Sequence, residues 1–505
     1  MTDATAQHPF ESDKLREECG IVGIYGQHSA SALAALGLHA LQHRGQEAAG
    51  IVSTDGENFF VERHPGKVAE VFGQDNLGAR DEPSRTKRGG GGVVESLKGR
   101  LAIGHVRYST TGGSEIRNIQ PLFADLAAGS TAIAHNGNIT NALQLRDELV
   151  REGAIFHSTS DTECIIHLMA MRGQGDMVSR LIDALRQVEG AYSLVVLTRT
   201  KLIGVRDPLG LRPLVLGSLN GGYVFASETC ALDVLGATFI RDVEPGEVVV
   251  ISSEGVQSKR PFLPMKPRFC IFEYVYFSRP DSMFGGVHVY EARKRIGWEL
   301  SRVAPVEADF VCPVPDSGVA AALGYAEASG IAFQYGLIRS HYVQRTFIQP
   351  SQDIRNLSVK LKFNANRHLL KGKRVVLVDD SLVRGTTSRQ IIEMVRDAGA
   401  TEVHMRIASP PTTNSCFYGV DTPDKKDLLA NRKNVAEMQE FIRADSLAFV
   451  PIDGLYRAVG QAGRNNEAPQ YCDACFTGEY PTRLTDQAER DAGLGKRQLS
   501  LLVAS

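Results

Sequence analysis

Residues 374–388 read RVVLVDDSLVRGTTS, and this stretch decides the fold of the second half of the chain. Val375 to Val378 are an uninterrupted apolar run, entered at Arg374 and closed by Asp379-Asp380, as expected of a parallel strand buried on both faces. The loop Asp380–Ser388 leads into a helix in which Ile391, Met394, Val395 and Ala398 fall at i, i+3, i+4 and i+7, with Gly399 placed to stop it. Upstream, ADFVCPVPDSGVAAALGYAEASG (308–330) repeats the order strand, glycine turn, helix. Such units in series predict an α/β domain with a parallel sheet and helices on both faces. In the 380–388 loop, backbone N–H groups, the hydroxyls of Thr386, Thr387 and Ser388, and the helix N-terminus form an anion cradle. The loop carries neither G-x-x-x-x-G-K-[ST] nor G-x-G-x-x-G, so it is neither a Walker loop nor a dinucleotide fingerprint. Two readings stand. The acid pair either only ends a strand and caps a helix, or belongs to a sugar–phosphate site in which the loop grips a phosphate and the carboxylates face ribose hydroxyls and Mg²⁺.

The first half has another rhythm. Residues 21–26, 48–52, 101–109, 131–137, 191–198 and 223–227 are β-rich runs bounded by Gly, Asn or Asp, and 29–43, 141–152, 161–171 and 176–189 carry helical periodicity. That mixture predicts two packed sheets with helices outside. The boundary falls near PFLPMKPRF (261–269), and DNLGARDEPSRTKRGGGGVV (75–94) reads as an unstructured insertion. At 505 residues the chain has room for two to four domains, and 43% hydrophobic with 23% charged residues is a globular composition. Lys and Arg (56) nearly balance Asp and Glu (58), which argues against a nucleic-acid binder. No apolar run reaches the ~20 residues a membrane span requires. The polar, acidic leader is no secretory signal, so a cytoplasmic location is expected, with the eight cysteines as thiols.

Cys19 stands between that leader and the apolar strand of EECGIVGIYG. Alone it is a small core hydrophobe or a nucleophile. Three segments bear on it: LQHRGQEAAG (41–50), with His43-Arg44 in a glycine turn; GHVRYSTTG (104–112), with Arg107 ending an apolar strand; and AHNGNIT (134–140), with Asn136-Gly137 read as a turn after a strand. Together they resemble the class II glutamine amidotransferases of the N-terminal-nucleophile family, over residues 19–250. The resemblance implies an α+β, αββα-sandwich domain over 19–262 and a propeptide, 1–18, whose removal makes Cys19 the first residue. A free α-amino group near pKa 7.7–8.0 then takes the proton of a thiol near 8.5. It further implies Asn136 and Gly137 as oxyanion donors, Arg107 as ligand of the glutamine α-carboxylate, and Asp161, in STSDTE, as ligand of its α-amino group.

RVVLVDDSLVRGTTS is similar to the signature of the type I phosphoribosyltransferases. On that likeness VPDSG (314–318) is a pyrophosphate loop and QRTFIQPSQDIRN (344–356) a loop that closes over substrate. Asp379, Asp380, Arg384, Gly385, Thr386, Thr387 and Ser388 hold phosphoribosyl pyrophosphate (PRPP), and Ser317, Asp379 and Asp380 are associated with one Mg²⁺ per subunit. The two likenesses, spanning 19–485 with 486–505 as a tail, imply an enzyme that passes ammonia from glutamine through an internal channel to PRPP. It would form 5-phosphoribosylamine, glutamate and pyrophosphate, the first step of de novo purine synthesis, as a homodimer or homotetramer inhibited by purine nucleotides. Other acceptors, as in glucosamine-6-phosphate synthase or asparagine synthetase, leave VVLVDDSLVRGTTS unexplained. A PRPP-sensing regulator leaves Cys19 and Asn136-Gly137 unexplained.

Cys164, Cys230 and Cys312 lie in apolar elements and read as core. Cys270, Cys416, Cys472 and Cys475 remain, the last two as C-x-x-C. By residue type these four suit zinc or an iron–sulfur centre, or else the C-x-x-C is a redox pair or the four are unrelated thiols. The resemblance narrows the choice: one subgroup has both a cleaved leader and a [4Fe-4S] cluster at matching cysteines, which implies one structural cluster per subunit. The 75–94 stretch is longer and richer in glycine than is usual in the family.

Overall fold

The computed structural model describes residues 16–17, 19–73, 93–108, 116–340 and 362–491. The alternating apolar runs of the first half build two antiparallel sheets. One contains β2 (Gly20–Tyr25), β3 (Ala48–Thr54), β4 (Phe59–Pro65), β5 (Leu101–Arg107), β10 (Val215–Leu219), β11 (Gly222–Ala226) and β12 (Thr238–Asp242), in the order β12-β10-β11-β2-β5-β3-β4. The other contains β6 (Leu122–Leu126), β7 (Gly129–Ile139), β8 (Gly190–Thr198), β9 (Leu202–Arg206), β13 (Val248–Ser252) and β14 (Gly255–Lys259), in the order β14-β13-β9-β8-β7-β6. A short strand β1 (Arg16–Glu17) stands outside both.

Period-two patterning gives each sheet two apolar faces. Ile21, Val52, Ile103, Val195, Leu197 and Phe225 meet between the sheets. Val22, Ile24 and Ala49 pack outward on the helix Ala30–Ala40, and Leu194 and Val196 on the helices Thr162–Met171 and Met177–Leu185. This is the expected αββα sandwich. The expected helix over 141–152 forms as Ala142–Arg151.

In the second half, Phe310–Pro313, Arg374–Asp379, Glu402–Ile407 and Ser446–Phe449 form a four-stranded, all-parallel sheet in that order. Val375, Val376, Leu377 and Val378 are wholly buried, as the unbroken apolar run requires. The helix after the diacid spans Thr386–Asp397, with Gly399 beyond it at φ +103°. Cys164, Cys230 and Cys312 are buried, as expected of core residues.

Three expectations need correction. Asn136-Gly137 is not a turn: β7 runs on to Ile139, and both residues pair across β8 with Ser193 and Tyr192. Val93 and Val94, read as the end of an unstructured insertion, open a helical turn, Val93–Ser96; the rest of that insertion and the 344–356 loop lie outside the described residues. Residues 486–491, read as tail, belong to a helix, Thr485–Asp491, that docks on the first half.

Candidate functional site

Cys19 is half-buried at the head of β2, at φ +80°, a left-handed conformation that non-glycine side chains rarely adopt. Its N–H donates to the Arg44 carbonyl at 3.1 Å, so the His43-Arg44 turn lies beside Cys19. Register places Arg107 next door: Gly20 pairs with Val106 on β5, and Arg107 ends that strand, buried. Ser227 reaches across to the second sheet. Its hydroxyl accepts from the Ile21 N–H at 3.0 Å and stands 3.5 Å from the Asn136 amide nitrogen. Asn136 is wholly buried, and its side-chain oxygen has no partner among the described residues. An amide with one long contact and one orphaned atom has hydrogen-bonding capacity left for a substrate.

Gly137 has φ +143°, and a Cβ there would lie 2.1 Å from the Ala191 carbonyl oxygen, so only glycine fits. Asp161 caps the helix Thr162–Met171 and also binds the end of β7, accepting from the Ile139 N–H at 3.0 Å. Burial would raise its pKa, but the His135 imidazole and the Ile139 and Thr162 N–H groups outweigh burial and hold the carboxyl below its ordinary range. An ionised carboxylate suits an ammonium ligand. Cys19, Arg107, Asn136, Gly137 and Asp161 are thus brought to one end of the sandwich.

The second site forms where the parallel strands end. Asp379 and Asp380 are 2% and 1% exposed, and Ser381 donates to Asp380 at 2.5 Å. Gly385, at φ +81°, turns the chain into the Thr386–Asp397 helix. The hydroxyls of Thr386, Thr387 and Ser388 therefore sit in the helix's first turn. The 314–318 loop lies against the neighbouring strand: the Val314 N–H donates to the Val378 carbonyl at 2.8 Å, and a Cβ on Gly318 would meet that same oxygen at 2.2 Å. Ser317 is thereby brought beside the diacid.

Cys270, Cys416, Cys472 and Cys475 converge from three segments of the chain. The pairs Phe269–Cys270 and Tyr471–Cys472 form a parallel two-stranded ladder with Cys270 opposite Cys472. The Cys475 carbonyl accepts from the N–H groups of Thr413 and Asn414 at 3.0 Å each, which brings the Cys416 loop against it. All four lie within electrostatic reach of one another; burial pushes the Cys270 thiol up to about 12, and burial plus the neighbouring thiols lifts Cys472 and Cys475 well above the ordinary value. Among the described residues no three His, Cys, Asp or Glu side chains are gathered tightly enough to hold a single metal ion.

Sequence reasoning missed the charges that join the two sites. The wholly buried Arg44 guanidinium pairs with Glu228 and, at 2.8 Å, with Glu273 of the second half; Arg212 pairs with Glu273 at 2.9 Å. Glu228 also accepts from Ser282 at 2.6 Å and the Arg279 N–H at 2.9 Å. Behind this, Arg293 donates to the carbonyls of Tyr274 and Ser278 at 3.0 and 2.7 Å and lies within electrostatic reach of Asp380. One signal was available: Glu273 is a lone charge in the apolar run FCIFEYVYF.

These features define a class: a class II glutamine amidotransferase sandwich joined to a parallel-sheet phosphoribosyltransferase domain. A glutamine amidotransferase domain model matches residues 105–234. Amidophosphoribosyltransferase from Rhizobium etli is 54% identical over 503 residues, covering 98% of each chain, and that from Bacillus subtilis is 47% identical over 471 residues, covering 93% of this chain and 95% of the relative. The solved glutamine PRPP amidotransferase of B. subtilis, complexed with ADP and GMP, superimposes with a TM-score of 0.84 at 46% identity, covering 92% of this chain and 98% of that one. The chain belongs to the amidophosphoribosyltransferase family.

Proposed function

We propose that this chain hydrolyses glutamine at Cys19 and uses the ammonia to convert PRPP to 5-phosphoribosylamine, opening purine synthesis. The observation that carries the reading is one molecule holding both constellations: Cys19 with Arg107, Asn136, Gly137 and Asp161 in the sandwich, and the Asp379-Asp380 loop in the parallel-sheet domain.

Removal of the leader before Cys19 supplies the α-amino group. The left-handed φ of Cys19 supports this step, because the torsion involves the preceding carbonyl, and cleavage releases a strain of about 1–2 kcal/mol. The α-amino group takes the thiol proton and the thiolate attacks the side-chain carbonyl carbon of glutamine. The Asn136 side chain and the Gly137 N–H receive the charge that develops on oxygen, each such donor contributing about 10²–10³ in rate. The α-amino group returns its proton to the departing nitrogen, ammonia leaves, and water splits the thioester to glutamate. Arg107 holds the substrate carboxylate and Asp161 its ammonium.

At the second site the 384–388 loop holds the 5-phosphate against the helix N-terminus, and the diacid faces the ribose. Ammonia attacks C1 as pyrophosphate departs with the bonding electron pair. Ser317, Asp379 and Asp380 offer the oxygen donors that Mg²⁺ favours, and a bound Mg²⁺ supplies charge neutralisation on the pyrophosphate. The four converging cysteines fit a [4Fe-4S] cluster. Four thiolates also suit zinc, and the choice of the cluster rests on the family resemblance. Such a cluster has a structural role, pinning the C-terminal segment. The reading includes a cytoplasmic homodimer or homotetramer under purine-nucleotide inhibition; no helix among the described residues is long and apolar enough to cross a membrane.

Cys19→Ala tests the proposal. Glutamine-dependent product formation should vanish while ammonia-dependent formation survives; loss of both, or neither, refutes two separate sites. N-terminal sequencing of active protein should begin at Cys19, and an intact leader there refutes the proton-transfer step.

A further inference from the structure

We infer that the C-terminal strap, residues 483–486, is a positioning element for the glutamine site, acting through Asp486; this rests on Asn136 and Gly137 being the oxyanion donors. Strand β7 carries both residues and ends at Ile139, and the chain enters the helix Ala142–Arg151 almost at once. That helix has no local cap, because Asn141 makes no side-chain bond to its first turn. The cap comes from the far end of the chain: the Asp486 carboxylate accepts from the N–H groups of Leu143 and Gln144 at 2.9 and 3.2 Å. An anionic acceptor at a helix N-terminus is favoured both by the unpaired N–H groups and by the helix dipole.

The same segment also grips the exit of β7. The Asp486 N–H donates to the Thr140 carbonyl at 3.0 Å, and the Thr140 hydroxyl donates to the Arg483 carbonyl at 2.8 Å. The Thr485 hydroxyl donates to Glu189 at 3.0 Å, and the Glu189 carbonyl accepts from the Thr140 N–H at 2.8 Å. On the other side the Asn138 amide donates to the Phe417 carbonyl at 3.0 Å, and Gly419 lies so close that a Cβ on it would sit 3.1 Å from the Gly137 Cα. The end of β7 is therefore held by two segments of the second half, 417–419 at Gly137 and Asn138 and the strap at Thr140. Asp161, the other end of the glutamine site, is fixed to the same strand through Ile139. Misplacing a catalytic group by 1 Å from a distance costs about 10²-fold in rate. Because the strap is one of several restraints, an effect of about tenfold is expected.

The experiment is Asp486→Ala in the full chain, with glutamine-dependent and ammonia-dependent product formation measured on one preparation. The glutamine-dependent kcat should fall about tenfold, with little change in KM for glutamine, while the ammonia-dependent rate stays at the wild-type value. Asp486→Asn keeps a carbonyl acceptor and should restore part of the loss. Equal falls in both rates would mark a general loss of structure and overturn the inference, as would wild-type values for both. The underlying reading fails separately: Asn136→Ala with wild-type glutamine turnover would remove the oxyanion assignment whatever Asp486→Ala does.

Discussion

Gly137→Ala is the sharpest perturbation the site offers. An added Cβ would stand 2.1 Å from the Ala191 carbonyl oxygen, 2.8 Å from its carbon and 2.9 Å from His135 Nε2. Real Cβ contacts lie beyond 3.0 Å, so β7 must move away from β8 by about 1 Å. The backbone angle of +143° adds to the strain, since alanine avoids it. Overpacking of this kind costs about 1–3 kcal/mol of stability. Under the proposed oxyanion role the catalytic loss is larger in proportion, because the shift moves the Gly137 N–H off the position that role assigns to the developing oxyanion. Loss of one such donor is worth about 10²–10³ in kcat. Glutamine-dependent product formation should fall by that factor while ammonia-dependent formation is kept, and the second activity doubles as a folding control. Gly129→Ala is the matched comparison. It lies on the same strand at φ +120° with nothing within 4 Å of the added atom, so it should lose stability and no catalytic selectivity. Glutamine-dependent turnover within threefold of wild type in Gly137→Ala would refute the oxyanion role.

Asp379→Asn combined with Asp380→Asn should abolish both the glutamine- and ammonia-dependent routes to product, because each ends at the PRPP site; a surviving ammonia route would place that chemistry elsewhere. Purified protein should be coloured, and Cys416→Ser should bleach it while lowering the melting temperature; a colourless, zinc-bound and fully active preparation would refute the cluster. The Glu163 carboxyl is subject to burial, which alone would raise its pKa, but His167, Ser158 and two backbone N–H groups bring it down to about 2 from an ordinary 4.5. Its folded pKa is the lower one, so its contribution is complete above pH 4.5 and is lost as pH falls towards 2. Glu163→Gln should flatten the acid limb of the stability curve in that window, and an unchanged limb would show that other carboxylates set it.

What was legible in the sequence was local. The 374–388 stretch announces its strand, turn and helix through unbroken apolar residues, an acid pair and a glycine, all within one unit. Cys19 and Arg107 were placed at strand ends because apolar runs stop there. Asn136-Gly137 misled for a physical reason. Asn-Gly is the strongest short-range hairpin signal, yet β8 supplies partners for both residues, and tertiary pairing overrides the local preference. The glycine is required there by the approach of Ala191, and periodicity cannot show a contact between strands. The four cysteines could be grouped by residue type, but only the pairing of Cys270 with Cys472 reveals how segments so distant in sequence meet. The cap on the helix Ala142–Arg151 was beyond sequence reading altogether, because Asp486 lies in a charged run, TDQAERD, that reads as solvated surface.

The charges between the halves explain why the two sites hold one relation to each other. Arg44, Arg212, Glu228 and Glu273 are each fully buried, and ions taken out of water so completely are tolerated only when every one meets its partners. Arg44 belongs to the turn that binds the Cys19 N–H, and Glu273 comes from the domain that carries the diacid. If the halves slid by one residue, at least one of these ions would lose its partner, a loss of about 3–5 kcal/mol, comparable to much of a domain's net stability. A greasy interface would tolerate such a slip, since apolar contacts are non-directional. The ion cluster therefore fixes the docking of the two domains more tightly than it stabilises them. Ammonia is protonated, and so lost as a nucleophile, if it escapes to water. A fixed docking is what an enzyme needs when one site must deliver it to the other.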